Sequence, residues 1–366
     1  MNKKKIAIIG IVGVPANYGG YETLVENLID HIDYTKYEIT IYCSTQSYKN
    51  QKKLKAYKNC KLAYIPIKAN GIWGFFYDNV SLLDSIIKKV DVVLALGAAS
   101  SFSYFFLKPF LNLKYIVNLD GQDNKREKFN TKTKKLLSVV RKLAIKTADK
   151  VIADNDAVLA DLSTKIRNKS TLIEYGGDQV FKYENIEKLN ELNLKKDNYF
   201  FKVCRIEPEN NIHLILKAFK NTSKTFVCVG NWNNSAYGKN LKSIYAPLEN
   251  IILLDPIYES NKLNLLRSNA VAYIHGHSRG GTNPSLVEAM NLSLFIISFD
   301  VVYNRNTLEN LGVYFKDDLG LNSIIKDFKK DDTYFITRKK IFEVAKRRYT
   351  WKIISNKYIT LINSFS

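Results

Sequence analysis

A chain of 366 residues is too long for one compact core and, at about 100–200 residues per domain, divides into two. With 46% hydrophobic and 25% charged residues it is an ordinary folded protein, which excludes a collagenous or largely disordered chain. Its formal net charge of +20 attracts polyanions, whether nucleic acid, acidic lipid headgroups or phosphorylated ligands.

The N-terminal run Met1, Asn2, Lys3, Lys4, Lys5 leads directly into an apolar strand pattern over 6–12 with no small-residue cleavage site, so a cytoplasmic location is expected. No apolar stretch reaches the roughly 18 residues of a membrane span. Further strand patterns follow over 38–43, 62–67, 92–96, 115–119 and 151–153, with amphipathic stretches between them. Leu24, Val25, Leu28, Ile29 and Ile32 form one helical stripe; Leu136, Leu137, Val140, Leu143 and Ala144 form another. Strands alternating with helices of this length predict right-handed βαβ units and a parallel sheet covered on both faces.

A strand over 171–175 is followed by Gly176, Gly177 and a polar stretch over 178–198 that reads as a linker. The alternation restarts with strands over 200–204, 226–229, 251–254, 272–274 and 295–298 and a helix over 214–219. The last 35 residues read as two helices with a stripe of Ile353, Ile354, Tyr358, Leu361 and Ile362. The expected organisation is a first Rossmann-like domain over 1–180, a linker over 181–198, a second Rossmann-like domain over 199–345 and a terminal helix over 346–366. Two such α/β domains place their topological switch points across a cleft, where ligands of open sheets bind. Cys43, Cys60, Cys204 and Cys228 lie far apart, without CxxC spacing, and read as reduced core residues.

The first strand runs into a glycine-rich loop, residues 10–20, that feeds a helix at once. Glycines permit positive φ and close approach of a ligand, and a helix N-terminus favours phosphate, so the loop is either a phosphate contact or a tight turn. It lacks the GxGxxG spacing of a nicotinamide dehydrogenase. Glu22 in the first helical turn suits the helix dipole and equally suits a role in the site.

At the opening of the second domain, Arg205 follows a strand in the series Cys204, Arg205, Ile206, Glu207, Pro208, Glu209, Asn210. It is placed either to neutralise a diphosphate or to pair with Glu207 or Glu209. The densest cluster, residues 275–290, again joins a strand to a helix, with Asn283 at the N-cap and Pro284 at the first helical position. N–H groups over 280–283 then face an anion, and Glu288 is either a ribose ligand or a solvated helix residue. His275 and His277 point the same way, but no Asp or Cys lies nearby to complete a metal shell.

Residues 101–150 carry twelve basic and four acidic side chains and include Lys125, Arg126 and Lys128. The aromatic run over 104–110 adjoins this charge and a second aromatic patch lies over 73–77, which suits either an anionic membrane surface or a domain core. Nucleic acid is disfavoured: the charge is spread over both halves and no RNP, KH or zinc-finger pattern is present.

The combined motifs GVPANYGGYE, DGQDNKREKF, RIEPENN and GHSRGGTNPSLVEAM, with Arg348, Tyr349, Thr350 and Trp351 near the C-terminus, resemble the retaining nucleotide-sugar glycosyltransferases of family 4. The resemblance implies the α/β GT-B fold. It is greatest to the bacterial rhamnosyltransferases that start or extend surface polysaccharides on a lipid diphosphate carrier. It implies dTDP-L-rhamnose as donor substrate, no cofactor, no metal, and a lipid diphosphate-linked sugar as acceptor; other nucleotide sugars such as UDP-glucose or UDP-GlcNAc, and a nucleotide-sugar epimerase, are the alternatives.

By the same resemblance, Gly19 and Gly20 approach the donor β-phosphate, Arg205 binds the diphosphate and Glu288 meets the ribose. Where the family usually has a Lys five residues after the Arg, this chain has Asn210, and the first Glu of the family's pair is replaced by Gly280. Backbone groups of Gly281 and Thr282, beside Asn283, would then meet the sugar. The family's first-domain His is replaced by Asp120, which either fits a sugar lacking a 6-hydroxyl or orients the acceptor hydroxyl. Acceptor contacts are expected from Tyr18, Glu22, Asp120, Lys125 and Arg126.

Overall fold

The computed structural model describes residues 3–16, 19–48, 53–119 and 131–365, with the backbone alone for 132–134. Tyr18, Asp120, Lys125, Arg126 and Lys128, all expected in the site or at the membrane face, lie outside the described residues. The chain divides into two compact units, Met1–Glu174 with Trp351–Ser366, and Tyr175–Thr350.

The first unit is built on an eight-stranded sheet. In chain order its elements are β1 (Lys4–Ile9), α1 (Gly20–Ile29), β2 (Tyr37–Ser44), β3 (Ala56–Tyr57), β4 (Cys60–Ile65), α2 (Ile72–Ile87), β5 (Val92–Leu96), α3 (Ser101–Leu107), β6 (Lys114–Asn118), α4 (Thr131–Thr147), β7 (Lys150–Ala153), α5 (Asp156–Ala160), α6 (Thr164–Arg167) and β8 (Ser170–Leu172). The strand order is β3-β4-β2-β1-β5-β6-β7-β8, parallel throughout except for β3 against β4. Near-continuous apolar strands such as Val92 to Leu96 are buried on both faces, as parallel sheets require. The order reverses between β1 and β5, so the loops after these strands border the crevice where open sheets take ligands.

The second unit has a six-stranded parallel sheet, order β11-β10-β9-β12-β13-β14. Its elements are β9 (Tyr199–Val203), α7 (Ile212–Lys220), β10 (Thr225–Val229), α8 (Ala236–Tyr245), β11 (Ile251–Leu254), α9 (Ser260–Ser268), β12 (Ala272–His275), α10 (Pro284–Asn291), β13 (Phe295–Phe299), α11 (Val302–Leu308), β14 (Val313–Phe315), α12 (Asp318–Asp327) and α13 (Asp332–Arg348). Phe200, Leu216, Phe219, Phe226 and Ile274 are central to its core. Its switch point lies between β9 and β12, next to the Arg205 loop and the loop into α10.

The polar stretch read as a linker is folded onto this second unit. Leu189 and Leu194 are buried, Tyr183 N–H donates to Ser268 Oγ at 3.1 Å, and Asp197 N–H to the Asn269 carbonyl at 2.9 Å. After α13 the chain turns at Tyr349, and α14 (Trp351–Asn363) belongs to the first unit. There Asn118 Nδ2 donates to Tyr358 Oη at 2.8 Å, Tyr37 Oη to Asn363 Oδ1 at 2.7 Å, and Lys357 pairs with the buried Glu174. Ile354, Tyr358, Leu361 and Ile362 are buried, as their spacing predicts.

Candidate active site

In the first unit the loop after β1 turns at Gly10, φ +87°, where a Cβ would lie 2.4 Å from the Leu96 carbonyl oxygen. Only glycine allows that approach to β5. The loop is then held by the helix it feeds: Glu22 Oε1 accepts from Val12 N–H at 2.8 Å and Glu26 Oε1 from Ala16 N–H at 2.9 Å. Tyr48 Oη ties the Pro15 carbonyl at 2.8 Å. Burial raises the Glu22 pKa, against the lowering effect of N–H groups of Val12, Glu22 itself and Gly19.

Glu22, expected towards the acceptor, is therefore buried and engaged by its own loop. Gly19 is the N-cap of α1, extended and without a side-chain cap, and Gly20 opens the helix. The positive end of α1 is thus faced by the Glu22 carboxylate, which has the Gly19 N–H among its donors.

In the second unit two loops meet. Asn210 Nδ2 donates to the Arg205 carbonyl at 2.9 Å, while Asn210 Oδ1 lies 3.1 Å from His277 Nδ1. Ser278 N–H donates to the Glu209 carbonyl at 2.9 Å, and Asn211 Nδ2 to the Gly276 carbonyl at 2.9 Å. A Cβ on Gly276 would come within 2.2 Å of the Asn210 carbonyl oxygen, so the two backbones touch there. Asn210, which stands where the family usually has a Lys, is buried and acts as a strut between loops.

The Arg205 side chain is 58% exposed, and among the described residues its carboxylate partner is Glu207, with Oε2 3.8 Å away. Both alternatives read from the sequence meet here, since so long and exposed a pair leaves the guanidinium able to take a diphosphate. Beyond it, Gly280 adopts φ +111°, Thr282 is buried, and Asn283 caps α10, its Oδ1 accepting from Ser285 N–H at 3.1 Å. Ser285 Oγ in turn accepts from Tyr273 Oη at 2.8 Å, so a buried tyrosine of β12 fixes the cap. Gly280, Gly281 and Thr282 therefore lead into a helix N-terminus whose geometry is set from below.

Glu288 is not solvated. Its Oε1 accepts from Gln179 Nε2 at 2.7 Å and its Oε2 from Arg267 Nη1 at 2.9 Å. Burial raises its pKa, and Arg267 and Gln179 pull it back down. Arg267, Gln179 and Tyr273 were not singled out from the sequence; the available signal was a charged residue within the apolar run Leu263, Leu265, Leu266, Ala270. His275 is buried, with no hydrogen-bond partner at either ring nitrogen among the described residues, and burial holds its pKa well below the usual imidazole range. Among the described residues no group of three or more His, Cys, Asp or Glu is placed to hold a metal ion.

The aromatic runs of the first unit divide between core and surface. Tyr77 and Tyr104 are buried, whereas Trp73, Phe76, Phe102, Phe105, Phe106 and Phe110 are exposed, Phe110 at 84%. Ring contacts link Trp73, Phe76, Phe75, Phe102, Phe106 and Phe105 into one patch. No helix among the described residues is long and apolar enough to cross a membrane.

Residues 184–347 match the family described as glycosyl transferases group 1, and residues 3–178 match a domain of unknown function, DUF1972. Among curated proteins none matches the chain. Among solved structures it is similar to a sucrose-phosphate synthase from Thermosynechococcus elongatus (TM-score 0.83, 16% identity, covering 99% of each chain). It is also similar to a glycosyltransferase from Rickettsia africae (TM-score 0.74, 14% identity, covering 100% of this chain and 99% of that one). A third similar structure is Anabaena HepE in complex with UDP-glucose (TM-score 0.76, 14% identity, covering 100% of each chain). The match of residues 184–347 to glycosyl transferases group 1, together with the fold of the whole chain, supports a glycosyltransferase of GT-B fold.

Proposed function

We propose that the protein is a retaining, metal-independent glycosyltransferase that moves L-rhamnose from dTDP-L-rhamnose to a lipid diphosphate-linked sugar in bacterial surface polysaccharide synthesis. The observation that carries this reading is the meeting of the Arg205 and α10 loops, which brings a weakly paired guanidinium and a capped helix N-terminus to one switch point. Fixed N–H groups and one Arg stabilise charge developing on a leaving diphosphate without reorganising.

The bond from the anomeric carbon to the phosphate oxygen breaks, the acceptor oxygen joins the same carbon on the same face, and the acceptor proton passes to the leaving phosphate oxygen. No side-chain nucleophile takes part. Glu288 meets the pentose, and Asp120 orients the acceptor hydroxyl and suits a 6-deoxy sugar. Anabaena HepE with UDP-glucose supports a nucleotide sugar as the donor class.

The exposed aromatic patch and the basic helix α4 support attachment to the anionic inner face of the cell membrane, where roughly 1 kcal/mol per basic residue is available. The test is mass spectrometry of a lipid diphosphate-sugar acceptor incubated with enzyme, EDTA, and dTDP-rhamnose, UDP-glucose, UDP-GlcNAc or GDP-mannose in turn. A mass gain of one deoxyhexose with dTDP-rhamnose alone is expected; an unmodified acceptor with every donor would overturn the reading.

A further inference from the structure

The surroundings of Glu288 point to two residues that no motif marks, and the role assigned to them rests on the nucleotide-sugar reading of this site. Arg267 is 3% exposed. Among the described residues its only ion pair is with Glu288, and its Nε has no acceptor. Gln179 reaches the other carboxylate oxygen from the segment that enters the second unit. That segment is pressed against α10, for a Cβ on Gly177 would lie 2.6 Å from the Val287 carbonyl carbon.

An ionised carboxylate offers about four acceptor positions, so one bond at each oxygen leaves room for hydroxyl donors from a ligand. A protonated carboxyl loses part of that capacity. Burial favours the protonated form of Glu288. The titratable groups facing it are Arg267 of α9 and Tyr273 of β12, and the phenol stays neutral because burial raises its pKa. Among the described residues only Arg267 therefore supplies a compensating charge.

We propose that Arg267 and Gln179 are positioning residues for the nucleotide, holding the Glu288 carboxylate in one orientation with its free lone pairs presented to a pentose hydroxyl. The 3′-hydroxyl, shared by ribose and deoxyribose, is the group that both UDP and dTDP bring to this carboxylate. A purely structural ion pair would affect folding alone. A positioning pair also sets how nucleotide affinity depends on pH.

The experiment is calorimetric titration of the full chain with UDP, dTDP, ADP and GDP between about pH 5 and pH 8, alongside thermal melts, for wild type, R267K, R267M and Q179M. Removing the cation from a buried carboxylate is expected to weaken binding about 10-fold or more at neutral pH. The loss deepens as pH falls, because the acid limb of the affinity profile moves upward. R267K restores most of the affinity and returns the limb towards its wild-type position.

Q179M, which leaves the ion pair intact, is expected to melt like wild type and to bind about 3-fold more weakly, with a smaller upward movement of the limb. It keeps the test decisive if R267M does not fold. Wild-type affinity and an unmoved acid limb in Q179M, or in folded Arg267 variants, would overturn the inference while leaving the nucleotide reading standing. A wild-type chain that binds neither UDP, dTDP, ADP nor GDP would overturn that reading and this inference together.

Discussion

Val12 N–H donates to Glu22 Oε1 at 2.8 Å, so the loop leaving the first strand is closed by an acid of the helix that follows it. The carboxylate is buried and its pKa is raised, which means the folded state binds its proton more tightly than the unfolded chain does. Stability contributed by the protonated form is therefore lost as pH rises from the ordinary Glu value of 4.5 through the raised one. Glu22→Gln should remove that slope while retaining an oxygen for Val12. Glu22→Ala should cost about 1–3 kcal/mol by leaving the Val12 N–H unmet. Urea melts across this pH range check both.

Arg205 is exposed and loosely paired, so its removal should leave folding nearly untouched. Arg205→Ala is expected to lower the melting free energy by less than about 0.5 kcal/mol and kcat by about 10²–10³. Arg205→Lys should recover only part of the rate, because an ammonium cannot pair with phosphate oxygens in the forked manner of a guanidinium. Steady-state kinetics beside a thermal melt separates the two effects.

Gly276 and the Asn210 carbonyl lie where two loops touch. Gly276→Ala should force them apart at about 1–3 kcal/mol and raise the donor KM, since Asn210 also carries the His277 contact. Asn283→Ala, which removes the α10 cap, should cost about 1 kcal/mol and also raise KM. Equilibrium unfolding with parallel donor titration reads each change.

The exposed aromatics should matter for membranes and not for folding. Replacing Phe106 and Phe110 with Ser is expected to leave the melting temperature unchanged and to reduce flotation with anionic vesicles several-fold. Added salt should weaken the remaining binding by screening the basic residues of α4. Flotation equal to wild type would contradict a role for this patch.

Much of the fold was legible because parallel βαβ units write themselves as apolar runs and stripes: Val92 to Leu96 and Leu24, Val25, Leu28 and Ile29 are buried as read, whereas Ile32 of the same stripe lies beyond α1 and is half-buried. The stripe on α4 was only half right. Val140 and Ala144 are buried, but Leu136 is 60% exposed, because a helix stripe does not say where along its length the packing partner ends. Residues 181–198 read as linker since their few apolar residues show no period, yet Leu189 and Leu194 anchor the segment. In the second unit, the cap role of Asn283 derives from its neighbours in sequence, and its Oδ1 accepts from Ser285 N–H as that reading expects. Arg267 and Gln179 meet Glu288 from 21 and 109 residues away, and nothing local records such a meeting.

Transfer of a sugar from a nucleotide with retention is tested most directly by NMR of the purified product, comparing its anomeric configuration with that of the donor. The expected result is a new glycosidic bond with the donor's configuration, formed in the presence of EDTA and strongly reduced in Arg205→Ala. An inverted anomer, or a donor converted without transfer to any acceptor, would contradict it.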